Sequence, residues 1–263
     1  LYKLLQNNER LSYLSSNIGS LYLQISNYKS ALEYYTGGLK YARENKLGLI
    51  LNLTGLADVY SNESNYSKAL QYYNRAKEIA DSIKDVSSMM KIEQGIGALY
   101  YNINRPFDAL EILKKADSEV LSDELPFELI KLYSKIGTVL TSVDSLSQAE
   151  TYFQNGLNLS IKVGDIYSSI VLKTELAYNY FKQRNYSEAL KLLSEAQSSS
   201  NEYDLIQLLG VQDLYLGQIY EAQNKIDQSL IQVSNDALNN FKLSNTEKKI
   251  IDNNIKEISF NLN

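Results

Sequence analysis

The sequence predicts an all-α protein, an α-solenoid of about six helix pairs with a C-terminal capping helix. Three observations lead there. A small-residue and large-residue pattern recurs every 38 to 40 residues. Within it the small and large positions fall three and four residues apart, as one face of a helix requires. Midway through most periods an Asn-aromatic or Arg-Pro pair marks a turn between two helices.

The repeats can be read in order. They are Gly19-Tyr22-Ala31-Tyr35-Gly38, then Ala57-Tyr60-Ala69-Tyr73-Ala76, then Gly97-Tyr100-Ala109-Leu113-Ala116. Next come Gly137-Leu140-Ala149-Phe153-Gly156, Ala177-Tyr180-Ala189-Leu193-Ala196 and Gly217-Tyr220-Ser229-Val233-Asp236. The third small position fails in the sixth, where Ala237 lies one residue late. An ordinary helical bundle has no reason to keep a fixed period, so the regularity itself argues for stacked repeats. Repeats are expected over about 12–45, 50–84, 90–120, 130–164, 170–203 and 210–243 within a single array spanning 1–263. Residues 246–263, with Lys248, Lys249, Asp252, Asn253, Asn254 and Lys256, read as a terminal helix whose polar outer face suits a cap.

The turns are Ser26-Asn27-Tyr28-Lys29, Ser64-Asn65-Tyr66-Ser67, Asn104-Arg105-Pro106-Phe107 and Arg184-Asn185-Tyr186-Ser187. Asn is expected to take the left-handed backbone there, with the following aromatic packed back as a hydrophobic staple. Pro106 fits the first turn of a helix, where an amide donor is dispensable. Gly19 or Gly97 is expected to face Ala31 or Ala109, so that backbones approach while Tyr22 or Tyr100 fills the gap beside them.

This pattern resembles the tetratricopeptide repeat over almost the whole chain. The period is nearer 40 than 34, the family's Trp is replaced, and its helix-ending Pro is missing. The resemblance implies a right-handed superhelix whose first helices line a concave face, the default binding surface of such arrays. Projected onto that face, the binding residues are Asn17, Gln24, Asp58, Asn62, Gln94, Tyr101, Asn102, Lys131, Lys135, Tyr178, Phe181, Lys182, Tyr215 and Gln218, with Tyr13, Ser20, Thr138, Thr174 and Glu221 beside them. Amides donate and accept, and so can hold the backbone of an extended peptide, while phenols give flat apolar contact with a polar tip. Lys131, Lys135 and Lys182 form a cationic set of the kind more often solvated than bound to an anion. Asn17 and Asn52 lack the companion Lys by which some chaperone-binding members hold a C-terminal carboxylate.

Composition excludes much else. There are no His and no Cys, which removes imidazole and thiol catalysis, disulfides and the usual zinc sets. Lys and Arg number 26 against 31 Asp and Glu, a net charge of −5, which argues against direct binding of nucleic acid. No stretch of about 18 apolar residues exists to insert in a membrane. Gly95-Ile96-Gly97 lacks the third Gly and the preceding strand of a dinucleotide site, and reads as a close helix crossing. Gly37-Gly38 lacks the Lys-Ser/Thr of a phosphate loop. No metal or other cofactor is expected, and no enzymatic activity.

The resemblance further implies a peptide- or partner-binding region of a bacterial signal-transduction or transcription regulator. The comparable groups are the Rap, NprR and PlcR type of peptide receptor and the repeat-bearing regions of Bacteroidetes-type sensor kinases and LuxR-like factors. A peptide or protein segment is the expected partner, and a ligand could expose a homodimer surface. The chain begins at Leu1, which fits a missing domain or a removed leader equally. The peptide-receptor reading implies the cytoplasm and the sensor-region reading the periplasm, the first being favoured. The alternative function is a constitutive assembly scaffold without switching.

Overall fold

The computed structural model describes residues 7–120 and 125–223. All regular structure among them is helical: α1 (Asn8–Gln24), α2 (Tyr28–Tyr41), α3 (Lys46–Asn62), α4 (Tyr66–Ile83), α5 (Val86–Asn102), α6 (Pro106–Ser118), α7 (Pro126–Ser142), α8 (Leu146–Val163), α9 (Ile166–Lys182), α10 (Tyr186–Glu202) and α11 (Ile206–Ala222). Odd-numbered helices are the first of each pair and even-numbered helices the second. Ser229, Val233 and Asp236 of the sixth repeat, and the terminal helix expected over 246–263, lie outside the described residues.

Six of the helices start where a side chain caps them. The side chains of Asn7, Asn27, Asn45, Asn65, Asp85 and Asp165 accept the amide three residues on, at 3.0 to 3.4 Å. Pro106 occupies the first turn of α6, as expected, and Pro126 that of α7. The first helices begin four residues earlier than the small-and-large signature suggests, because their caps at 7, 45, 85 and 165 lie upstream of it.

The turns within pairs correct one expectation. The left-handed residue is the one before the cap: Ser26, Ser64, Asp144 and Arg184, with φ between 57° and 63°. Asn27, Asn65 and Asn185 have φ between −85° and −89° and start the next helix. Only in the third turn is Asn itself, Asn104, left-handed. In all five turns the amide after the left-handed residue closes on a carbonyl five residues back. Asn27, Asn65, Arg105, Ser145 and Asn185 donate to Tyr22, Tyr60, Tyr100, Leu140 and Tyr180 at 2.8 to 2.9 Å. Those bonds satisfy the last carbonyls of one helix and fix the entry of the next.

The described residues form two compact units, one reaching Val139 and one starting at Leu140. In the first, α1 packs on α2 and α3, α3 on α4, and α5 on α4 and α6. Its core joins Ile50, Leu53 and Ala57 of α3 to Ala69, Tyr73, Ala76 and Ala80 of α4 and to Ile92, Ile96 and Leu99 of α5. In the second, α9 packs on α8, α10 and α11, around Ala177, Ala189, Leu193, Leu216 and Ile219. Burial of large apolar side chains against alanines supplies the main driving force in both.

The residue lying over each small position differs from the one expected. A Cβ on Gly19 would stand 2.9 Å from the ring of Tyr35, and one on Gly97 2.7 Å from Leu113. The filler is therefore the large residue of the second helix. Tyr22 and Tyr60 instead lie half-buried and stack on Tyr34 and Tyr72 at 5.4 and 5.5 Å between ring centres. Lys68 sits 4.9 Å over Tyr60, and Arg105 4.9 Å over Tyr100.

Candidate binding surface on the first helices

Adjacent first helices lie side by side within each unit: α1 by α3, α3 by α5, and α9 by α11. In the first unit the sequence offers Gly at two successive positions of one register, Gly55 and Gly95, and the structure fills both with tyrosine. The Tyr35 ring would meet a Cβ on Gly55 at 2.1 Å, and the Tyr73 hydroxyl one on Gly95 at 2.6 Å. Both rings thus reach from the second helices under the next first helix. Gly95 serves this contact and Gly97 the helix crossing.

The Tyr73 hydroxyl donates to Asp58, which is half-buried. Burial pushes the Asp58 carboxyl up to about 6, with the Tyr73 bond and the Lys135 ammonium acting the other way. Burial also pushes Tyr35 up to about 12, and the negative charge of Asp58 adds to it. Tyr73 is raised as well, by burial and then by Asp58. Lys135 is lowered by burial, with Asp58 opposing and Lys131 reinforcing. Asp58 and Lys135, two of the projected residues, therefore share one polar cluster with two core tyrosines.

Since the folded Asp58 carboxyl lies near 6 and an unfolded one near 3.9, its ionised form is disfavoured in the native state. Below pH 4 both states are protonated and nothing is lost. Between pH 4 and 6 the unfolded chain releases its proton first and stability falls. The shift corresponds to about 2 to 3 kcal/mol. Urea melts at pH 3.5 and 7.5 should therefore show Asp58→Asn gaining about that much on the wild type between the two. A gap that stays constant with pH would count against this account.

The other projected residues of this unit are spread. Asn17, Gln24, Asn62, Tyr101, Asn102 and Lys131 are exposed. Ser20 acts on the Tyr35 hydroxyl against the effect of burial, Tyr13 accepts from Asn45 at 3.0 Å, and Thr138 turns back to the Ser134 carbonyl. Gln94 departs from the projection: it is only 5% exposed, and its amide donates to the Glu128 carbonyl at 3.0 Å, joining α5 to α7. Asn52 is also buried, donating to the Ser12 hydroxyl at 3.0 Å and the Gly48 carbonyl at 2.8 Å, so it ties α3 to α1.

The second unit gathers three projected residues. Tyr178 and Tyr215 stack with centres 4.5 Å apart, and Phe181 leans on Tyr178 at 5.8 Å. Gln218 is half-buried, with its Oε1 buried and lacking a hydrogen-bond partner. Lys182 lies 3.6 Å from Asp144, and Glu221 is exposed. Thr174 does not face outward: it is 2% exposed, donates to the Ile170 carbonyl and accepts from Gln212.

Glu175, not among the projected residues, stands one helical turn before Tyr178 on α9. It has no hydrogen bond or ion pair among the described residues, and burial alone pushes its carboxyl up to about 7. Alignment at the 40-residue period would have found it. The register that reads Gly55 and Gly95 in the first unit continues as Lys135, Glu175 and Tyr215.

With this geometry in view, the comparison with known families is direct. The tetratricopeptide-repeat model matches residues 14–45 and 52–82. Over these residues the chain matches the tetratricopeptide repeat. No curated protein matches the chain. Among solved structures, it resembles a Rap protein complexed with competence and sporulation factor, at 17% identity and a TM-score of 0.68, over 96% of this chain and 76% of that one. It also resembles a STAND signal-transduction ATPase with a tetratricopeptide-repeat sensor from Pyrococcus horikoshii, at 17% and 0.72, over 90% of this chain and 39% of that one. The type IV pilus biogenesis factor PilW gives 18% and 0.63, over 92% and 98%. At these identities the likeness establishes the α-solenoid fold. Among the described residues no helix is long and apolar enough to cross a membrane.

Proposed function

We propose that this repeat protein is a peptide- or partner-binding module acting as the sensing or interaction region of a bacterial regulator. An extended segment would lie on the first helices, and binding would be transmitted through repeat-to-repeat packing. The carrying observation is the Tyr178, Phe181 and Tyr215 cluster, where three aromatic rings remain half-buried on two first helices beside polar groups that still lack partners. Rings in such a place offer rigid contact area at little entropic loss. The fold it shares with a Rap protein complexed with competence and sporulation factor supports the regulatory part of the reading.

The test is capture from an extract of the source cells with the purified chain, beside a Tyr101→Ala, Tyr178→Ala, Phe181→Ala variant of equal helicity. Mass spectrometry should detect short peptides as well as proteins. A ligand held by the native chain and lost by the variant is the expected result. Identical retention by both would place binding elsewhere and favour a constitutive scaffold.

A further inference from the structure

We infer that the second unit recognises an arginine side chain of its partner, with the guanidinium laid on the Tyr178–Tyr215 stack and its N–H groups bonded to the Glu175 carboxylate and Gln218 Oε1. This rests on the peptide-binding reading above and names what the peptide must carry.

The chemistry of the patch selects the ligand. Glu175 and Gln218 are acceptors left without donors, and Gln218 Oε1 is buried. Leaving such groups unsatisfied is unfavourable, so a ligand bringing donors gains more here than at an exposed acceptor. Between them stand two tyrosine rings stacked at 4.5 Å. Glu175 precedes Tyr178 by one turn of α9, and Gln218 follows Tyr215 by one turn of α11, so the acceptors flank the stacked pair. A flat cation with several fixed donors matches an aromatic wall with an acceptor at each side. An ammonium group provides charge without a plane, and a neutral amide provides donors without charge. Lys182, two turns further along α9, is directed to Asp144, and no ion pair compensates Glu175 among the described residues. A cation brought to Glu175 favours its ionised form and so offsets the effect of burial on the carboxyl.

The decisive experiment pans a phage-displayed random heptapeptide library on the wild-type chain and on Glu175→Gln, a conservative change at a carboxylate with no partner to lose. In parallel, N-acetylarginine methylamide and its neutral isostere, N-acetylcitrulline methylamide, are titrated with NMR of the tyrosine rings as readout. Arginine enrichment on the wild type that disappears on Glu175→Gln is expected, with a selected peptide weakened at least tenfold by the substitution. Ring shifts should saturate with the arginine analogue and be absent with citrulline. Peptides selected without arginine preference would overturn this inference and leave the peptide-binding reading intact. If no peptide is selected, that reading fails, and the titration decides the inference: saturating, Glu175-dependent shifts uphold it, and their absence overturns it.

Discussion

Gly55→Ala should destabilise the first unit by about 3 kcal/mol, while Gly37→Ala, in the neighbouring repeat, should stabilise it by about 0.5 to 1 kcal/mol. The two substitutions add the same methyl group. On Gly37 it meets nothing within 4 Å and relieves only the helix-interior penalty of glycine. On Gly55 it would sit 2.1 Å from the Tyr35 ring, which is itself buried. That ring has no retreat, because on its other side a Cβ on Gly19 would already be 2.9 Å away. Tyr35 is thus a wedge between α1 and α3, and Gly55→Ala must either displace it or separate the helices. Urea denaturation followed by circular dichroism at 222 nm would measure both variants. The mechanism carries a further expectation: Gly55→Ala with Tyr35→Leu should lose less stability than the two changes summed, by about 1 to 2 kcal/mol. Strict additivity would mean that the ring is not what the methyl group meets.

That glycine also shows how far the sequence could be read. Period, helix pairing and the small positions were legible because they repeat, and repetition survives the replacement of single residues. Gly55 and Gly95 follow a second register, which in later repeats becomes Lys135, Glu175 and Tyr215. A column that changes from glycine to charge to aromatic looks like noise until the partner ring is seen. The same holds for Gln94 and Thr174. Their helical positions suggest the binding face, but each sits where two first helices meet and is bonded to the neighbour, Gln94 as donor and Thr174 as acceptor. Amide-rich composition hid this distinction, since Asn52 joining α1 to α3 and Asn17 in solvent are the same residue type on first helices. Tyr178, Phe181 and Tyr215 were visible on the projected face because positions three residues apart share one side of a first helix, and neighbouring first helices bring those sides together.

Breaking the contact between the second and third repeats on one side only should be as damaging as overfilling Tyr35's slot. Glu93 of α5 is 2% exposed and bonds Lys77 of α4 at 2.7 Å; the Lys77 side chain remains one-third exposed. Lys77→Met would leave the carboxylate buried and uncompensated, a loss of about 3 kcal/mol after allowing for the water that reaches Lys77. Removing both charges should behave differently. Lys77→Met with Glu93→Leu is expected to recover most of the loss, since a buried ion pair repays little beyond its own desolvation. The pair is one of a series in which a first-helix residue meets the second-helix residue sixteen positions earlier: Glu93 with Lys77, Tyr133 with Asp117, and Asp213 with Gln197 at 2.7 Å. Each rung uses a different chemistry, so a repeat docked on the wrong neighbour would bury an unmatched charge or phenol. Stacked repeats of nearly uniform apolar packing need such a device, because their cores alone accept more than one neighbour. Urea melts of the single and double variants separate the two roles. A double variant that stays as unstable as Lys77→Met would show that the ion pair itself holds the repeats together; recovery of stability would leave register as its contribution.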